Sequence, residues 1–174
     1  MTIVNNTPTN KNFLSPLNFT FVMNRSPHLN FFVQAINIPS VTLGAPLISS
    51  PYIAYPIPGE HLKYGDFNIT FKVDEDLANY LEVHNWIRGL GKPDNYDEYG
   101  NLANTLPASS SGIVSDMTVV ILNAIKNPIF EVNFRDAFPT SISELNFAST
   151  DSTVNYITAK ANFKYTIFDI VKLP

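Results

Sequence analysis

The sequence predicts a mainly β protein: an antiparallel β-sandwich or barrel of about seven strands, with one α-helix inserted at 74–90 and a long apolar loop at 39–65. Three observations carry that expectation. Several segments alternate apolar and polar residues with the period of two that a half-buried strand requires; in DFNITFKV (66–73), Phe67, Ile69, Phe71 and Val73 share one face. Between these segments lie short stretches rich in Asn, Ser, Asp and Pro, which suit antiparallel neighbours. The composition is also aromatic, with 13 Phe and 8 Tyr, as strands and large contact surfaces favour.

Taken in order, residues 1–15 are polar and predict an arm, leaving 16–174 as one domain, the default for a chain of 174 residues. LNFTFVM (17–23) sets Leu17, Phe19, Phe21 and Met23 on one side of a strand. NRSPH (24–28) reads as a turn and LNFFVQAIN (29–37) as a second strand, giving a first hairpin. Residues 39–65 hold Pro39, Pro46, Pro51, Pro56 and Pro58, a density that excludes a helix or a central strand. Yet Val41, Leu43, Leu47, Ile48, Tyr52, Ile53, Tyr55 and Ile57 make the segment too apolar for a solvated loop. It therefore docks against a neighbour or folds back over its own core, and the first reading is preferred.

The helix is expected to start at Asp74 as N-cap, with Glu75 and Asp76 at the positive end of the dipole, and to end at Gly91 before Pro93. Leu77, Tyr80, Leu81, Val83, His84, Ile87 and Leu90 share a broad face that closes one open side of the β structure. Trp86 falls beside Glu82 and Asn79 on the polar side, where it would anchor a partner or be covered by the segment that follows. That segment, 92–116, reads as a polar inserted loop. Beyond it lie MTVVILNA (117–124), IFEVNFRD (129–136), SISELNF (141–147) and the long TVNYITAKANFKYTIFDIV (153–171), parted by NAIKNP, AFPTS and ASTDS.

Composition excludes several functions. A net charge of -4 with no Lys/Arg run argues against a clamp that neutralises phosphates. Charged residues are only 15%, so part of the surface is expected to be covered by another chain. There is no Cys, the N-terminus has no signal-peptide pattern, and no apolar run reaches membrane-span length. The triplet Asp74-Glu75-Asp76 lacks the alternation and glycine of a calcium loop. His28, His61 and His84 lie in different elements, and Glu82 and His84 point to opposite sides of a helix. No phosphate-binding, dinucleotide, serine-hydrolase or zinc-protease fingerprint is present. No enzyme activity, metal or cofactor is expected.

FLSPLNFTFVMN with FFVQAINIPSVTLG, then DFNITFKVDEDLANYLEVHNWI, then FEVNFRDAFPTSISELNFASTDSTVNYITAKANFKYTIFDI resemble, in this order, the tail tube proteins of contractile-tailed bacteriophages and the related tube protein of type VI secretion systems. The resemblance implies a structural protein of the virion tail, assembled in the host cytoplasm. It also implies hexameric rings with a continuous inner β-barrel, stacked through the loop 39–65, with Val41, Leu43, Leu47, Ile48, Tyr52, Ile53 and Tyr55 as inter-ring contacts. Asn155, Lys160, Asn162 and Lys164 are the candidates for a lumen that passes DNA without sequence-specific binding. Trp86 and Glu82 are the candidates for lateral or sheath contact, and sheath, baseplate or neck proteins are the implied partners. The insert 92–116 and the N-terminal arm leave room for a specialised initiator or terminator ring. The competing reading is a monomeric β-sandwich that binds a partner through 39–65 and Trp86.

Overall fold

The alternating segments form strands, and the longest of them organises the rest. The computed structural model describes residues 11–92, 96–104, 112–149 and 156–174. In chain order its elements are β1 (Phe19–Met23), α1 (Pro27–Phe32), β2 (Val33–Ile36), β3 (Val41–Leu43), β4 (Leu47–Ser49), β5 (Ala54–Pro56), β6 (Leu62–Tyr64), β7 (Phe67–Lys72), α2 (Ala78–Gly91), α3 (Asp97–Asn104), β8 (Ser115–Leu122), β9 (Pro128–Ile142), β10 (Thr158–Lys164) and β11 (Ile167–Lys172). Seven strands make one antiparallel sheet in the order β1-β8-β9-β10-β7-β2, with β11 also paired to β9.

β9 carries the sheet from one layer into the other. Its first half pairs β8 and β11, its second half β10. Between the register pairs Met117↔Phe134 and Ser115↔Ala137, β9 has one residue more than β8, a bulge at which Asp136 takes φ 54. The Asp136 N–H donates to Asp116 Oδ1 at 3.1 Å. The extra residue shifts the phase of burial, so that Val132 and Phe134 face the core before the bulge and Ala137 and Pro139 after it. The layers meet through aromatic rings: Phe67 on β7 lies 4.5 Å from Phe134 on β9 and 6.1 Å from Phe21 on β1.

Several elements differ from the sequence expectation. β1 and β2 do not form a hairpin; they end opposite sides of the sheet. Ser26-Pro27 starts α1 instead, with Pro at the first helical turn, where its missing N–H is no loss. Asn30 ties that helix back to β1, accepting from Met23 N–H at 2.9 Å and donating to Met23 O at 3.0 Å. AFPTS is not a turn, because Pro139 sits within β9 beside a second register shift. The predicted final strand is two strands, β10 and β11, broken where Thr166 N–H donates to Arg135 O at 3.0 Å. The insert 92–116 is not all loop, since α3 lies within it.

The inserted helix begins later than predicted. Leu77, in the left-handed region at φ 58, holds the N-cap position, and Asp74 to Leu77 form a turn closed by Leu77 N–H to Asp74 O at 3.1 Å. Buried Asn79 explains the shift: its Nδ2 donates to Lys72 O at 2.8 Å and fastens the helix start to the end of β7. The buried side of α2 runs through Asn79, Val83, Trp86 and Gly89, while Leu81 and His84 are exposed. The helical face is rotated from the predicted one because α2 packs against the sheet, α1 and α3, three surfaces where hydropathy alone anticipates one. No helix among the described residues is long and apolar enough to cross a membrane.

Candidate assembly surfaces

The proline-rich segment is a two-stranded arm. β3 pairs β6 (Val41↔Tyr64 to Leu43↔Leu62), and further out β4 pairs β5 (Leu47↔Pro56 to Ser49↔Ala54). Proline is tolerated because each pair is a ribbon with free outer edges. Gly59 N–H donates to Gly44 O at 2.7 Å between the two pairs. A Cβ on Gly59 would stand 2.5 Å from that oxygen, so the close approach requires glycine there. At the tip, Ser50 Oγ donates to Ile53 O at 2.7 Å and accepts from Ile53 N–H at 3.2 Å, fixing the turn that presents Tyr52.

The arm is rooted firmly. Tyr64 packs on Tyr165 and Phe168 at centroid distances of 6.1 and 5.6 Å, and Phe134 continues that cluster into the core. Tyr165 donates its hydroxyl to Gly65 O at 2.9 Å. Burial first, then the neighbouring Tyr64 and Asp66, push the Tyr165 phenol up to about 12. Beyond this root every candidate contact residue is exposed: Val41, Leu43, Leu47, Ile48, Tyr52, Ile53 and Tyr55, with Tyr52 97% exposed. From Val41 to Gly59 there is no charged residue.

Trp86 is corrected by the structure. Trp86 is only 2% exposed and is buried by its own chain, which removes it as a contact to a neighbour or sheath. Its indole N–H donates to Ile113 O at 2.9 Å, its ring meets Phe163 at 6.2 Å, and the Arg25 guanidinium lies 4.8 Å from its centroid. Arg25 also donates to Gly112 O, and partial burial lowers its pKa from the ordinary value. The chain returning from α3 thus folds over the helix face that hydropathy marks as polar. Gly112 itself lies tight against the end of α3, where a Cβ would stand 2.2 Å from Leu102 O. Glu82 is engaged within the chain by His28 Nδ1 at 2.5 Å, joining α1 to α2.

On β10, Lys160, Asn162 and Lys164 alternate with fully buried Ala159, Ala161 and Phe163 and point away from the core. Asn162 donates to Ser141 Oγ at 2.9 Å, and Lys164 pairs with Asp66 at 2.5 Å. Asn155 lies outside the described residues. Sequence reasoning did not find Arg25, Gly112, Tyr64 or Tyr165, whose roles rest on contacts between distant segments; the clustered aromatic residues were their only sequence signal.

Similarities to known proteins follow this architecture. The tail tube terminator protein of Enterobacteria phage T4 is 22% identical over 169 residues, spanning 87% of this chain and 92% of that protein. The tube-terminating cap of the anti-feeding prophage shares the fold with a TM-score of 0.62 at 11% identity, over 99% of this chain and 100% of that one. A chain of the PVC sheath/tube terminator of an extracellular contractile injection system, in the extended state, gives 0.60 at 12% identity over 93% and 99%. The phage tail tube protein family itself matches residues 20–171, nearly the whole β structure, and the chain belongs to that family.

Proposed function

We propose that the protein is a structural, ring-forming component of the tail tube, six copies to a ring, with the arm 39–65 carrying the contact between rings. The observation that supports this most is the arm: an anchored ribbon, without a charged residue from Val41 to Gly59, whose apolar side chains are left in water. Fully burying one Leu or Ile side chain contributes about 1.5–3 kcal/mol, so several together favour association strongly. The outward face with Lys160, Asn162 and Lys164 lines the lumen in this reading, and DNA passes it without sequence-specific binding. A surrounding sheath and baseplate or neck proteins are the remaining partners.

Mass measurement of the purified protein, with negative-stain electron microscopy, tests the proposal. Hexameric rings or tubes are expected, and a persistent monomer at high concentration overturns it. A second reading, a terminator ring that closes the tube, is favoured by the terminator relative from phage T4 and its near end-to-end match. A shaft subunit alone elongates into long tubes. A terminator stops at single rings and caps tubes already formed.

A further inference from the structure

Besides the outer part of the arm, Val41 to Gly59, the chain leaves a second apolar surface without charge. β1 and β2 are the terminal strands of the seven-stranded sheet, and each pairs with one described strand only. Between them opens a mouth of about 330 Å³, lined chiefly by Leu14, Pro16, Phe19, Ile36, Ile38 and Ile121. No charged side chain lines it, and Gln34 supplies an uncharged polar group beside it. Phe19 and Ile121, opposite one another across β1 and β8, remain only half-buried there.

The arm's own geometry says which molecule can fill this mouth. The mouth includes Ile38, and the arm begins three residues later at Val41, so the root stands beside the mouth. From Val41 to Tyr52 an extended ribbon reaches about 35 Å at roughly 3.3 Å per residue. A chain of this length has a radius of gyration of only about 16 Å. Tyr52 and Ile53 are 97% and 68% exposed, so the tip is not seated in the mouth of its own chain.

We propose that the tip of the arm, Tyr52 and Ile53, seats in the β1/β2 mouth of a second copy of this chain. This rests on the stacking role given to the arm above and names the surface that receives it. Neither surface carries an ion that docking would have to desolvate, so apolar burial is opposed by no buried charge. The tyrosine hydroxyl reaches the polar side of the mouth at Gln34 while its ring fills the apolar part, the division that makes tyrosine useful at interfaces. Because arm tip and mouth are different patches of one chain, the contact is head-to-tail and propagates from copy to copy.

The chain contains no cysteine, which makes a cross-linking test clean. The double variant I38C/I53C, oxidised after assembly, is expected to give a ladder of covalent multimers on a non-reducing gel. I53C alone and I38C alone should give no ladder. A charge pair serves as the second arm of the test: Ile53→Asp should reduce assembly at least tenfold, and Ile38→Lys added to it should restore most of the loss. Rings that stack in electron micrographs without a ladder overturn this contact and leave the stacking role standing. A covalent dimer of I53C alone, as abundant as the double variant's product, overturns it in favour of tip-to-tip contact. A wild-type protein that never assembles overturns both.

Discussion

The region around α2 and the arm 39–65 treat apolar side chains in opposite ways. Around α2, Trp86 is closed in by Phe163 from the sheet, Arg25 from the segment before α1, and the 112–113 backbone returning from α3. Its one polar atom is satisfied within the chain. In the arm, Leu47, Tyr52 and Ile53 stay exposed although β4 pairs β5 and the Ser50–Ile53 turn is closed by hydrogen bonds. One region uses its hydrophobic surface in folding the subunit. The other keeps that surface exposed on an arm held by its own hydrogen bonds, so in the proposed stacking role the entropy of arranging the arm is not charged again on association.

The contrast breaks most completely if substitutions in the arm unfold the subunit. Replacing Val41, Leu43 and Ile48 together by Asp is expected to abolish assembly by sedimentation while changing subunit stability by no more than about 0.5 kcal/mol per site. An equal loss of both would mean that the arm belongs to the core. Trp86→Ala should do the reverse, costing about 3–5 kcal/mol in urea unfolding through the cavity left behind. A change below 1 kcal/mol there would contradict enclosure by the chain itself.

Smaller changes sharpen the comparison. Gly112→Ala forces a carbon against the Leu102 carbonyl and is expected to cost about 1–3 kcal/mol. A loss of the blue-shifted emission of Trp86 should accompany it, because the 112–113 backbone covers the indole. The smallest effect is expected at His28. Glu82, by hydrogen bond first and charge second, raises the His28 pKa above its ordinary value. A raised folded-state pKa makes the pair's contribution complete below about pH 6.5 and loses it as pH rises through the folded value. His28→Gln should therefore flatten the urea midpoint against pH between 6 and 8, and an unchanged slope would show that the α1–α2 ion pair adds nothing.

Much of the β architecture was legible, for the reason that period-two patterning is a local property. Phe67, Ile69 and Phe71, or Ala159, Ala161 and Phe163, alternate in the sequence as they do in the core. The prolines correctly signalled a segment that belongs to no central strand, and its apolar residues lie exposed on the arm. Partnering was less legible. β1 looks ready for a hairpin with the next apolar run and finds β8 instead, because the competing pairing lies nearly a hundred residues away and leaves no local mark. Likewise AFPTS has the composition of a turn, yet β9 uses bulges to pass through it and change layers.

By itself, then, the sequence determined the mainly β class, the site of the inserted helix, the apolar arm and the polar outward face of β10, since each follows from propensity and periodicity over a few residues. Only the tertiary structure decided what covers what. Trp86 stands on the polar side of an isolated helix, but the sheet, α1 and α3 all pack on α2, and the 112–113 backbone covers the indole. The arm's side chains are no more apolar than that indole; they remain exposed because nothing among the described residues covers them.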